Sequence, residues 1–466
     1  MVLSRIWSAF IIIAILVASA KYMFLPNYKA IYNDMVVGKG GDTILIDTKK
    51  TQDFAPNIIA SFNENKVFTE DKIHYELQTN DEVKIYRIQE TDGVIGTSET
   101  AVKICLGLIG IMTLFMGFMS IAEKAGGINL LSRLIQPFFS KLFPEVPKNH
   151  PSFGHMMLNF SANLLGLDNA ATPFGLKAME SLQSLNPSKE KASNAQIMFL
   201  CLHASGLTLI PVSIIAIRAS MGAETPTDIF LPCLIATFTA TMAAMVIVSI
   251  KQKINLFQPV VLVYIGGISA LIAGLVVYLV RLNQQELGDF SKFLSNGIIL
   301  FIFFAIVLGG IYKKINIFDA FIEGAKEGFN TCVKIIPYLV GMLIAISLLR
   351  TSGVFEVIID AMKWLANTAQ LDTRFVDGLP TAFIKPLSGS GARGMMVDTM
   401  TTFGVDSFPS HLAGILQGSS DTTFYVIAVY FGAVGIRNTR YTVGAMLLAD
   451  LVGIITSIIL AYLFFG

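Results

Sequence analysis

Nine apolar stretches, each close to the roughly 20 residues that cross a bilayer as a helix, dominate this 466-residue chain. They lie near 6–23, 102–122, 196–217, 228–250, 257–280, 294–312, 330–350, 410–433 and 441–465. Inside lipid every backbone N–H and C=O must find a partner within the protein, which leaves helices or closed barrels. The length and unbroken apolarity of these stretches select helices. Composition agrees, with 53% hydrophobic and only 14% charged residues, against roughly 25% charged in soluble domains. The lipid bilayer is therefore the first expected partner. A net charge of +1 leaves no basic footprint for nucleic acid. The cysteines Cys105, Cys201, Cys233 and Cys332 stand far apart in apolar segments and read as small hydrophobes. Neither they nor the five scattered histidines suggest a metal or cofactor.

The first segment ends in Ala18-Ser19-Ala20, which has the look of a signal-peptidase site. Retention as an anchor is expected, because the repeat described below needs a helix there. Residues 25–98 differ in kind, with 8 Lys/Arg against 12 Asp/Glu. In "KIHYELQTNDEVKIYRIQ", Ile73, Tyr75 and Leu77 alternate and face Val83, Ile85 and Arg87 across Thr79-Asn80-Asp81, a hairpin signal. A small α/β or mostly β water-exposed module is expected. Basic residues orient the spans. Arg5, the run from Lys124 to Lys191, "KQK" (251–253), "YKK" (312–314) and "RNTR" (437–440) fall on alternate connections. That pattern puts the N-terminus in the cytoplasm and residues 25–98 outside.

Two long connections, 123–195 and 351–409, must then leave and return on the same side. Each opens with an amphipathic stretch, "LLSRLIQPFFSKLF" (130–143) or "VFEVIIDAMKWL" (354–365). Each continues into a glycine- and proline-punctuated segment too short to cross, 156–179 or 378–400. Irregular backbone at membrane depth survives only inside protein or along a cavity, so both read as re-entrant hairpins. The halves also repeat. "TAVKICLGLIGIM" (100–112) matches "TCVKIIPYLVGML" (331–343), and "HASGLTLIPVSIIAIRA" (203–219) aligns without a gap to "QGSSDTTFYVIAVYFGA" (417–433). The expected fold is an all-α polytopic bundle of two inverted-topology repeats. Each repeat has four spanning helices and a re-entrant hairpin, and one linking helix joins them. The expected divisions are a first helix (1–24), the extracytoplasmic insertion (25–98), the first repeat (99–252), a linking helix and loop (253–292) and the second repeat (293–466). Inverted halves with interrupted segments at equivalent places are the pattern of a secondary transporter.

Particular motifs carry a family resemblance. The first half, through "KLFPEVPKNHP", "GLDNAATPFGLKAMESLQSLN" and "TLIPVSIIAIR", resembles spore maturation protein A. The second half, through "FIEGAKEGFNTCVKIIPYLVGMLIAISLLRTSG", "KPLSGSGARGMM" and "QGSSDTTFYVIAVYFGAVGIRNTRY", resembles spore maturation protein B. Both belong to the membrane family carrying the nucleoside recognition or "gate" domain, named for its likeness to part of concentrative nucleoside transporters. Ferrous iron transporters of the membrane GTPase type carry related domains. The resemblance spans nearly the whole chain except 25–98 and implies a multi-pass protein of the bacterial cytoplasmic (inner) membrane.

Polar residues inside these apolar surroundings are the candidate site. Asn163, Asp168, Asn169 and Thr172 form a substrate or ion shell, or cap a half-helix. Ser388, Ser390 and the glycines of "SGSGARG" expose backbone N–H groups to an anion. Lys385 and Arg393 bind an anion or snorkel to the interface. "QGSSDTT" concentrates Gln417, Ser419, Ser420, Asp421 and Thr422 at the start of a span. His203 and Ser205 occupy the equivalent places in the first half. His203 is a proton-coupling group or a packed, hydrogen-bonded histidine.

The leading expectation is secondary transport of a small polar or anionic solute, nucleoside-like or carboxylate-like. No nucleotide-binding element is present, so an H+ or Na+ gradient is the expected drive. The alternative is a non-transporting membrane scaffold or regulator acting through the 25–98 module, in envelope or spore maturation. No HExxH, Ser/His or paired-Asp arrangement points to an enzyme. Self-association into a homo-oligomer is left open.

Overall fold

The computed structural model describes residues 2–51, 62, 67–70, 73–78, 82–147, 150–164 and 168–466. Helices make up most of it. Among the described residues, seven are long and apolar enough to span a membrane. They are α1 (Val2–Phe24), α3 (Val94–Lys124), α9 (Phe230–Gln252), α10 (Pro259–Leu279), α11 (Gln284–Tyr312), α12 (Ile317–Thr351) and α18 (Thr442–Phe465). The short α2 (Ile31–Val36) leads from α1 into the strands β1 (Gly38–Lys50), β2 (Val67–Glu70), β3 (Ile73–Leu77) and β4 (Glu82–Asp92).

Those strands form an antiparallel sheet in the order β1-β4-β3-β2. The β3–β4 register pairs Ile73 with Arg87, Tyr75 with Ile85 and Leu77 with Val83, as the alternation predicts. The turn itself, 79–81, lies outside the described residues.

Between α3 and α9 come α4 (Gly127–Leu142), α5 (Pro151–Leu164), α6 (Asp168–Ser184), α7 (Asn194–Ala204) and α8 (Val212–Ser220). Between α12 and α18 come α13 (Val354–Thr368), α14 (Pro380–Ile384), α15 (Gly389–Phe403), α16 (Phe408–Gly418) and α17 (Thr423–Ala433). Both amphipathic stretches are helices, α4 and α13. Each follows a glycine in the left-handed region, Gly126 (φ 81°) and Gly353 (φ 76°), where a Cβ would be strained. Each glycine stands between one long helix and the next.

Two expected spans are corrected. Segments 196–217 and 410–433 do not run through as single helices; each is split, into α7 and α8 and into α16 and α17. In the first, Gly206 takes φ 63°, and Pro211, which lacks an N–H, precedes the restart. In the second, Ser419-Ser420-Asp421-Thr422 offers four short polar side chains that compete for the backbone. A hydropathy average over 20 residues does not register either interruption.

The contacts divide into two compact units. One comprises Met1–Ile104, Ile336–Gly378 and Gly394–Ser410. There Trp7 Nε1 donates to the Gly341 carbonyl (2.8 Å) and Lys21 Nζ to the Ser352 carbonyl (2.7 Å), fixing α1. Arg350 Nε donates to both Asp398 carboxylate oxygens (2.8 and 2.9 Å), a bidentate pair between α12 and α15. The other unit comprises Cys105–Ile335, Leu379–Arg393 and His411–Gly466. Its core centres on Phe199, Met198, Tyr430 and Phe431 from the split helices, packed against Met245 of α9 and Met446 of α18.

Within that second unit α3 and α12 approach backbone to backbone. A Cβ at Gly324 would sit 2.2 Å from the Met116 carbonyl oxygen, and one at Gly328 would sit 2.7 Å from that of Met112. Small residues allow such close approach where lipid supplies no hydrophobic drive. Gly324→Ala is expected to cost about 1–3 kcal/mol through overpacking. Gly266→Ala on α10, where nothing lies within 4 Å, is expected to be neutral. Thermal unfolding of the two purified variants checks this: equal midpoints would mean that the α3–α12 contact does not depend on Gly324.

Candidate functional site

The split helices leave backbone groups that no helix satisfies, and these groups bond to one another. Asp421 N–H, in the break between α16 and α17, donates to the Ala204 carbonyl at the end of α7 (2.7 Å). Leu209 N–H, in the break between α7 and α8, donates to the Leu164 carbonyl at the end of α5 (2.9 Å). Phe424 N–H, at the start of α17, donates to the Pro386 carbonyl between α14 and α15 (2.9 Å). Each break thus uses another break for the partners that buried backbone requires. Lys385 Nζ donates to the Gln417 carbonyl (2.7 Å), placing a cation on the exposed C-terminal carbonyls of α16.

A polar cavity of about 390 Å³ lies where these breaks meet. From the sequence-derived candidates the structure brings together Asn163, Thr172, His203, Arg393, Gln417, Ser420, Asp421 and Thr422 along its wall. Ser205, Ser388, Ser390 and Ser419 do not line it. Ser205 Oγ donates to the Leu202 carbonyl (2.8 Å) and Ser419 Oγ to the Leu416 carbonyl (3.0 Å), one turn back on their own helices. Ser388 Oγ accepts from Gly391 N–H (3.0 Å) at the start of α15 and lies 3.3 Å from Ser390 Oγ. These hydroxyls satisfy local backbone, the alternative use open to any serine at a helix end. The side chains of Asp168 and Asn169 lie outside the described residues.

His203 is the most constrained side chain in the wall. Its ring packs on Tyr430 (centroids 4.8 Å apart) and Phe199 (6.1 Å). Nδ1 lies 3.1 Å from Asn159 Oδ1 and 2.9 Å from Asn163 Nδ2. The amide of Asn159 is fixed by its own donation to the Ala171 carbonyl (2.7 Å), so Oδ1 faces the ring. That assignment puts the proton of neutral His203 on Nδ1 and leaves Nε2 as the lone-pair nitrogen.

Cations and anions both reach the cavity. Lys385 and Arg393 line it with Asp421, whose Oδ1 accepts from Thr422 N–H (2.7 Å). Gly389 lies so close that a Cβ there would sit 2.6 Å from Thr422 Oγ1. Behind the wall, Thr423 donates to the buried Asp450 carboxylate of α18. Lys385, which the sequence offered as an anion ligand or a snorkelling cation, is in the wall, whereas Thr331 and Tyr425 were not among the sequence-derived site residues. Thr331 and Tyr425 gave no signal beyond a single polar atom in an apolar span.

A second buried cluster also escaped the sequence reading. Arg218 of α8 is fully buried, with Nη2 3.1 Å from Asp228 Oδ1. His411 Nε2 lies 3.1 Å from Asp228 Oδ2, under the Phe465 ring at 3.8 Å. It ties α8 to α16 and α18, outside the cavity wall.

Comparisons with known proteins follow the same division. The family profile described as "Gate: Nucleoside recognition" matches residues 105–284 and 332–437. Spore maturation protein B of Bacillus subtilis (strain 168) is 44% identical over 178 residues, 38% of this chain and 98% of that protein. Spore maturation protein A of the same organism is 41% identical over 156 residues, 34% of this chain and 80% of that protein. No solved structure matches.

The histidine clamp generates a test. Asn159→Leu removes the fixed acceptor from a buried N–H and is expected to cost about 1–3 kcal/mol. Asn163→Ala leaves that acceptor in place and is expected to cost less. Thermal unfolding of both variants in detergent gives the order, and the reverse order would remove Asn159 as the fixed partner.

Proposed function

Because the chain belongs to the nucleoside recognition family of membrane proteins, we propose that it is a secondary transporter that holds a small polar or anionic solute in the cavity between its broken helices. The observation that carries this reading is the convergence of three backbone breaks on one polar cavity flanked by Lys385, Arg393 and Asp421. Interrupted helices at membrane depth are where transporters place solute and coupling-ion sites. Half-helix ends carry partial charges of roughly half an elementary unit, so few formal charges are needed to hold a polar solute.

An inverted-repeat architecture is part of the proposal. Two features support it: α7 and α16 end at Ala204 and Gly418, which the gap-free alignment places opposite each other, and a left-handed glycine precedes both α4 and α13. In this scheme the segments around α5–α6 and α14–α15 are re-entrant hairpins entering from opposite faces. The coupling ion is H+ or Na+, and Asp421 is its proposed ligand. Both relatives are named for spore maturation, and the proposal for this chain is solute movement across the membrane in which it resides.

Two experiments test the proposal. A thermal-shift panel of nucleosides, dicarboxylates and inorganic phosphate on the purified protein is expected to yield a stabilising solute. Asp421→Asn and Lys385→Met should weaken that binding about tenfold, the effect of one charge-assisted hydrogen bond, and abolish gradient-driven uptake into proteoliposomes. Asp360→Asn, on exposed α13, should change neither. Unchanged uptake by both cavity variants, with loss on deletion of the β-sheet module, would favour the scaffold reading. For topology, single cysteines at Asn283 and Arg437 are introduced into a background lacking the four native ones. An impermeant thiol reagent added to intact cells is expected to label position 283 and spare 437. Strong labelling at 437 would overturn the inverted arrangement.

A further inference from the structure

A second cavity, of about 130 Å³, lies beside the polar one and differs from it in chemistry. Its wall is built from Phe138 of α4, Phe160 of α5, Met242 of α9 and Ile265 of α10. Its inner end is formed by Asn163, Leu164 and Leu207, next to the Leu209–Leu164 bond that closes the first break. Asn163 lines both cavities. Its outer wall, α10, faces lipid: Val261 and Leu279 are buried, while Val263 and Leu271 are 71% exposed. Tyr264 holds α10 against α4 by donating to the Leu134 carbonyl (2.7 Å) and by stacking on Phe138.

Resting on the transporter reading of the polar cavity, we infer that the solute is an amphiphile. It has an anionic head in the polar cavity and a hydrocarbon tail that leaves through the apolar cleft under α10 into the bilayer. Charge selects the head. Two cations, Lys385 and Arg393, line the polar cavity with one described carboxylate, Asp421. Gln417 is 7% exposed, and its side-chain carbonyl is buried without a hydrogen-bond partner. The head must therefore supply an O–H or N–H as well as anionic oxygens, because an unsatisfied buried acceptor is costly. Dispersion selects the tail. An apolar cleft left empty forfeits contacts along its whole lining, and beside lipid the group that fills it is hydrocarbon. A phosphate ester carrying a hydroxyl and an acyl or prenyl chain meets both conditions. Free phosphate or glycerol phosphate shares the head chemistry alone.

The test uses the full-length protein in phosphatidylcholine nanodiscs doped with phosphatidylglycerol that carries a diazirine in its acyl chain. Crosslinks are expected to concentrate on peptides from 135–164 and 238–268. Filling the cleft by Ile265→Trp, or independently by Met242→Trp, is expected to cut that labelling about tenfold, as is Lys385→Met at the head. Free glycerol phosphate is the soluble comparison, read by thermal shift. Labelling spread over all lipid-facing helices and unchanged by either tryptophan would mean annular lipid and would overturn the inference. If glycerol phosphate stabilises the protein through Lys385 while the tryptophans leave labelling intact, the amphiphile reading fails and the polar-cavity reading survives. If neither ligand depends on Lys385, the amphiphile reading fails, and the transporter reading stands or falls on the nucleoside and dicarboxylate panel.

Discussion

Backbone that cannot reach water has to be satisfied by backbone, and the second compact unit is organised by that constraint. Interrupting a membrane helix exposes several N–H and C=O groups, each costing several kcal/mol if left bare in lipid. The protein splits two apolar segments, 196–217 and 410–433, and joins the breaks directly, through Asp421 N–H and the Ala204 carbonyl. It then ties each break to a neighbouring helix end, at Leu164 and at Pro386. None of these bonds involves a side chain, so the sequence around them is free to specify the cavity wall. The elements they join cannot move independently, because opening one break strips partners from the next. The cavity is a by-product of this stitching: helix ends that bond across a gap cannot also fill it.

That geometry explains why the polar side chains divide into two uses. Serines one turn inside a helix end, such as Ser205 and Ser419, fold back on the preceding carbonyls. Groups on longer stems, or one residue further into the break, reach the cavity instead, as Lys385, Gln417 and Asp421 do. Lys385 has both uses, since it sits on the Gln417 carbonyl while lining the cavity. A lysine there opposes the negative end of α16 and brings positive charge to the cavity with one side chain. His203 takes the opposite course. Two asparagines and two aromatic rings hold it in one orientation, so its lone-pair nitrogen is positioned before any ligand arrives.

The sequence disclosed what depends on local pattern and hid what depends on a distant partner. Alternation of Ile73, Tyr75 and Leu77 with Val83 and Ile85 is a local signal, and the strands pair in that register. The polar runs "GLDNAATP" and "QGSSDTT" stood out because apolar surroundings make every polar residue conspicuous. The split of 196–217 was hidden because Leu207, Leu209 and Ile210 keep the break apolar, and only Gly206 and Pro211 betray it. Arg218 carried no signal of its own in the sequence, since Asp228 and His411 meet it only in three dimensions. Serine and threonine carried no reliable signal in either direction: the same residue type caps a helix at Ser388 and faces the cavity at Ser420.

The family match falls in two segments, and the cavity draws on both. Residues 105–284 supply Asn163, Thr172 and His203, whereas 332–437 supply Lys385, Arg393, Gln417, Ser420 and Asp421. The first segment brings the neutral hydrogen-bonding wall, and the second brings the described formal charges. The joining backbone bonds follow the same split, since Ala204 belongs to one segment and Asp421 to the other. Neither segment closes the cavity alone. Carrying both in one chain makes their meeting intramolecular, which raises the effective concentration of each for the other and fixes their ratio. Within the first segment, α10 sits close enough through Tyr264 and Leu134 to form the lipid-facing wall of the apolar cleft.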